Sequence, residues 1–102
     1  MQANRVGLSG EIIEIGALRH TPAGLPVLNF KVAHVSEQVE AGAKRQVQCV
    51  VPVMAIGEPV QAGLKLKTGD RVALQGFLSR RSLNSTQLVL HVNKIELIEE
   101  KG

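Results

Sequence analysis

The sequence predicts an all-β fold: one small closed or nearly closed barrel of five curved strands, with little or no helix. Three observations predict it. Apolar residues recur with a period of two along most of the chain, which is the alternation of a strand and not the 3.6-residue period of a helix. The alternating runs are short and are bounded by clusters of Gly, Pro, Asn, Asp and Ser. Gly10 and Gly76 fall inside runs, where a strand must bend or bulge if a small sheet is to close. The 102 residues are read as a single domain, 1–102, large enough to bury about two thirds of the unfolded surface around one core.

In the first strand Val6, Leu8 and Ile12 alternate with polar positions, Gly10 takes one in-phase slot, and the phase then moves to Ile13 and Ile15 as a bulge requires. After the turn residues TPAGLP, Leu28, Phe30 and Val32 face one way and Asn29, Lys31 and Ala33 the other, which makes the second strand. Polar SEQVEAGAKRQ separates it from a third, where Val47, Cys49, Val51 and Val53 form one face and Gln46, Gln48 and Val50 the opposite one. Pro52 marks an edge or a strand end there. In AIGEPVQAGLKLK, residues 55–67, Gly57, Pro59 and Gly63 leave space for one short helical turn at most. TGDRVALQGFL is a Gly-Asp turn launching a fourth strand with Val72 and Leu74 in phase, and the fifth runs from Gln87 to about Ile98.

Charge and chemistry narrow the function. Twelve Lys and Arg against nine Asp and Glu give a net charge of +3, a weak preference for an anionic partner. The distribution is more telling: acid gathers at Glu11 and Glu14 and at Glu96, Glu99 and Glu100, while base gathers at Lys44/Arg45, Lys65/Lys67 and Arg80/Arg81, so one face is expected to be basic. His20, His34 and His91 lie far apart with Cys49 alone between them, which gives neither a zinc cluster nor a Cys–His pairing signature. His34 shares the phase of Phe30 and Val32 and reads as a partly buried structural histidine, whereas His91 alternates outward. Glu11 and Glu14 fall on opposite faces of a regular strand, which spoils them as an acid/base pair unless the bulge rearranges them. No phosphate-cradling glycine loop joins a strand to a helix. The expectation is a protein that is not an enzyme and needs no metal or cofactor.

Single Cys49 reads as a small buried residue suited to a reducing cytosol. MQANRVGLSG lacks the apolar stretch of a signal peptide, and the longest apolar run, Cys49 to Ile56, is far below the roughly 20 residues of a membrane span. A cytoplasmic protein is expected.

The segment GFLSRRSLNSTQLVLHV, residues 76–92, reads as a hairpin with two arginines near its tip. Neighbours in an extended strand point to opposite faces, so Arg80 and Arg81 reach one phosphate track only if the chain has left the ladder, and an irregular, mobile arm at residues 80–86 is expected.

Taken in order, NRVGLSGEI, TPAGLPVLNFKVAHVS, EAGAKRQVQCVVPV, TGDRVALQGFL and QLVLHVNKIELIE resemble the oligonucleotide-binding (OB) fold of bacterial single-strand-binding proteins, and more closely the primosomal replication protein N (PriB) family, over almost the entire chain. The resemblance implies a five-stranded Greek-key barrel, a homodimer, and sequence-independent binding of single-stranded DNA in the replication-restart primosome. It further implies the restart helicase PriA as a partner and leaves room for other primosome loading factors. In that family the loop between strands four and five is a DNA-contacting arm, here the Arg80/Arg81 hairpin. The departures are specific: Ser82, Asn84 and Gln87 stand where basic residues would be looked for, Gln48 where relatives carry a stacking tryptophan, and Ala43 where they carry another aromatic. Base stacking contributes about 1–3 kcal/mol per base, so weak, mainly electrostatic binding is expected. The candidate contacts are Arg19, Lys31, Lys44, Arg45, Gln46, Gln48, Arg80 and Arg81, along one groove. An alternative reading is an adaptor that docks its basic face on the helicase, with DNA binding vestigial. Phe30 is assigned to the core, while the facing of Phe77, just after the Gly76 bend, is left open.

Overall fold

The structure is a computed structural model and describes residues 2–98; Glu99 and Glu100, read above as part of an acidic cluster, lie outside the described residues. Its strands are β1 (Val6–Ile15), β2 (Arg19–His20), β3 (Pro26–Glu40), β4 (Ala43–Ile56), β5 (Arg71–Arg80) and β6 (Leu88–Ile98), with one helix, α1 (Pro59–Gly63). The sheet order is β1-β5-β6-β4-β3-β2, and β1 also pairs with β3, so the five long strands close into a barrel and β2 is a two-residue appendage.

Closure depends on β1 serving two neighbours. Its first half, Val6–Glu11, pairs antiparallel with β5, and its second half, from Glu11 to Ile15, pairs with β3. Glu11 is the handover residue, opposite both Arg71 and Ala33. Gly10 lies just before it with no room for a side chain, because a Cβ there would run into the Ala33 carbonyl and the Val32 side chain. The register slips between Ile12 and Glu14, the bulge that the phase change predicts. The slip sets Glu11 opposite Ala33 and Glu14 opposite Lys31, two positions apart on β3, so both carboxylates share one face. A second slip falls between Gln75↔Lys94 and Gly76↔Val92, at the glycine where the sequence places a bend, but its extra residue is Asn93 on β6.

Period-two patterning turns one side of each strand inward. Ile12, Leu28, Phe30, Val32, Val53, Ala55, Val72, Leu74, Leu90 and Val92 form the core, with Val60 of α1 closing one end. The helix is as short as the glycines and proline demand, and Gly63 lets it sit against Leu28 and Ile95. His34 is partly buried, with Nδ1 2.6 Å from the Ser9 carbonyl and Nε2 2.8 Å from Ser36 Oγ.

Three sequence expectations change. The polar stretch 36–46 is not a separator: β3 and β4 stay paired from Val27↔Ile56 out to Glu40↔Ala43, forming a long two-stranded arm. Its tip is Ala41-Gly42, with φ of 53° and 77°, the doubly left-handed conformation of a tight two-residue hairpin turn. Alternation is invisible there because neither face is covered, so no apolar pattern is needed. For the same reason Cys49, read as buried, is exposed: it pairs with His34 where the ladder leaves the core. Pro52 is not a strand end but lies inside β4, opposite Lys31. It is an edge position in a narrower sense, the last residue before β4 gains β6 as a second neighbour at Val53.

Candidate nucleic-acid interface

Directly opposed residues of an antiparallel pair share a face. On β3 and β4 the pairs Lys31–Pro52, Ala33–Val50, Val35–Gln48, Glu37–Gln46 and Val39–Lys44 therefore line one face, the outer one. The intervening pairs run from Val32–Val51, at the core, through His34–Cys49 to Gln38–Arg45. Lys31, Lys44, Gln46 and Gln48 thus stand together, and Arg45 belongs to the other side of the arm. There its Nη1 lies 2.9 Å from Glu40 Oε1.

The β5–β6 hairpin divides its two arginines in the same way. Arg80 is still in the ladder, opposite Leu88, and the irregular segment is 81–87, one residue later than expected. Arg80 turns back on the tip, Nη1 donating to the Leu83 carbonyl at 3.3 Å. Arg81, whose N–H donates to the Gln87 carbonyl, faces the barrel wall instead. It lines a groove of about 410 Å³ together with Arg19, Lys31, Asn29, Pro52, Met54 and Glu14. A second hollow of about 350 Å³, lined by Lys31, Val50, Pro52, Arg81, Gln87 and Leu88, carries the same surface toward the arm. Three arginines and lysines distant in sequence converge here because β2 carries Arg19 beside β3, the strand period puts Lys31 outward, and the hairpin swings Arg81 over both.

The electrostatics are moderated. Lys31 Nζ is 3.4 Å from Glu14 Oε2, and Lys44 Nζ is 3.8 Å from Glu37 Oε1, with all four side chains about half exposed or more. Such pairs contribute about 0–1 kcal/mol each and exchange readily for another anion. Among the described residues Arg19 and Arg81 make no ion pair, so the groove's uncompensated charge is theirs. A groove with planar guanidinium donors, a lysine and an amide suits a phosphodiester backbone. No three His, Cys, Asp or Glu among the described residues could hold a metal ion, and no helix among them is long and apolar enough to cross a membrane.

Three groove residues escaped sequence reasoning. The face of Glu14 depends on where the bulge places its extra residue, which spacing leaves open, and Asn29 and Met54 carry no charge to draw notice. Phe77 and His91, opposite each other on β5 and β6, stack outward with centroids 5.1 Å apart and planes 13° from parallel. Phe30 is buried, as read.

Residues 4–94 match the sequence model described as another single-strand binding protein family. Replication restart protein PriB of Nitrosomonas europaea is 37% identical over 95 residues, covering 93% of this chain and 88% of that one. The chain belongs to the PriB family. Replication restart protein PriB of Photorhabdus laumondii is 39% identical over 104 residues, with 97% of each chain covered. The solved structure of PriB from Ralstonia solanacearum superposes with a TM-score of 0.89 at 26% identity, covering 96% of this chain and all of that one. The barrel is the OB fold of the single-strand-binding proteins, and these PriB relatives are named for replication restart, not for a catalysed reaction.

Proposed function

We propose that this protein is a nonenzymatic accessory of replication restart that holds single-stranded DNA in the groove of Arg19, Lys31 and Arg81 and binds the restart helicase PriA. The observation that carries the reading is the convergence of those three cations on one outward face of a PriB-family barrel. Phosphates would sit against Arg81 and Lys31 and continue along the arm over Gln48, Gln46 and Lys44, with Glu14 displaced from Lys31 as the strand enters. Arg45 and Arg80, on the far sides of their hairpins, contribute only to the surrounding potential. By holding DNA and helicase at once, the protein raises the helicase's residence at the fork through effective concentration, with no chemical step of its own.

The same reading makes the molecule a homodimer. Along Val6–Gly10 the edge of β1 away from β5 has no strand against it among the described residues, since β3 pairs with β1 only from Glu11 onward. A second copy of β1 would satisfy those amides.

A second reading, the adaptor with vestigial DNA binding, is favoured by one observation: Lys31, Lys44 and Arg45 already pair with Glu14, Glu37 and Glu40. Titration of a labelled oligonucleotide with and without helicase separates the two. The DNA-holding reading expects saturable binding by the protein alone; strong complex formation with helicase but no direct DNA signal would favour the adaptor.

A further inference from the structure

The chain has no Trp, no Tyr and two Phe, of which Phe30 is 2% exposed in the core and Phe77 is 38% exposed. Phe77 is therefore the one carbocyclic ring that a ligand can reach. It is not isolated: it stacks almost parallel on His91, and the cross-strand register sets His91 beside Met54 of β4. Phe77, His91 and Met54 make one row across three strands of the outer face. Beside the row opens a hollow of about 400 Å³ lined by Met54, Ile56, Glu58, Pro59, Phe77 and His91 among others.

Resting on the DNA-binding reading above, we propose that this hollow is a nucleobase subsite, in which one base of the bound strand packs on the Phe77–His91 stack against Met54. Continuity with the groove selects this occupant. Met54 lines both concavities, and Pro52, opposite Lys31, is two residues from it along β4, a rise of about 7 Å that one sugar–phosphate unit spans. A backbone held by Lys31 and Arg81 can therefore turn one base over Met54. The Glu58 carboxylate in the lining disfavours phosphate there, so the backbone stays on the cationic side while the uncharged base enters. Any base has a π-face, so the subsite adds affinity without sequence preference.

The test compares wild type with Phe77→Leu, which keeps an apolar side chain and loses the ring, on labelled oligothymidylate and on the same oligomer with abasic residues, over a range of salt. Loss of one stack is expected to weaken oligothymidylate binding about tenfold, with the salt slope unchanged, while the abasic oligomer binds both proteins equally. Equal binding of oligothymidylate by the two proteins overturns the subsite and leaves the cationic groove standing. Wild type with no affinity for either oligomer removes the DNA-binding reading, and the subsite with it. A second measurement needs no variant: photocrosslinking of wild type to 5-iodouracil oligonucleotide is expected to label Phe77 or His91, and crosslinks confined to the arm and to Arg81 would overturn the proposal.

Discussion

Arg80 and Arg81 are adjacent in sequence and alike in chemistry, yet the ladder sends one to the groove and the other to the hairpin tip. Arg81→Ala should weaken single-stranded DNA binding by up to about 1 kcal/mol, the worth of one exposed charge contact, and Arg80→Ala by much less; anisotropy titration of the two variants checks this. The opposite substitution type is expected at Glu14. Removing its charge as Glu14→Gln frees Lys31 and should tighten DNA binding by up to about 1 kcal/mol at low salt, with the gain fading as salt screens it. Core assignments were legible from alternation alone: Ile12, Phe30, Val32, Val72 and Leu74 are all buried. Residue facing stayed open where alternation is interrupted, at Glu14 beyond the β1 bulge, and failed where burial does not support it, at Cys49 on the arm. A period-two pattern reports which side is covered only where something covers it.

At the scale of elements, glycine positions fixed the bends. Gly76 sits at the β5–β6 register slip with no space over it, and a Cβ there would overlap the His91 backbone. Gly76→Ala should therefore destabilise by about 3 kcal/mol or more in urea unfolding. Gly7, on the same closing sheet, has nothing within 4 Å of the Cβ position, and Gly7→Ala should change stability by less than about 1 kcal/mol. All five long strands, the short helix and the β1 bulge could be read from spacing; the second bulge could be read only as a bend at Gly76, and its extra residue, Asn93, lies on the neighbouring strand. The β3–β4 arm could not, because its turn is Ala41-Gly42 and not the usual Asn-Gly, and its strands carry polar residues on both faces. The arm matters to the site because it puts Lys44, Gln46 and Gln48 on the face that Lys31 begins, and Arg45 on the face that it does not.

For the molecule as a whole, barrel closure through β1 is the organising event: it sets Lys31 of β3 and Arg81 of the β5–β6 hairpin on one outer surface while leaving half of β1 with an edge that no strand among the described residues covers. That edge predicts a solution mass of two chains, and a monomer by light scattering at micromolar concentration would contradict it. The groove itself was only half legible. The basic residues were nameable from sequence, but their convergence depends on strand order, which no local pattern records. The proposed function requires that the convergent cations of the outer face hold a single strand through its phosphates. The affinity of wild type and Arg81→Ala for labelled single-stranded DNA across a salt series decides whether they do. The prediction is a log–log slope of about −0.7 for each phosphate contact, shallower in Arg81→Ala by about one contact and indifferent to base sequence. An affinity that does not change with salt, or a slope identical in the two proteins, would contradict it.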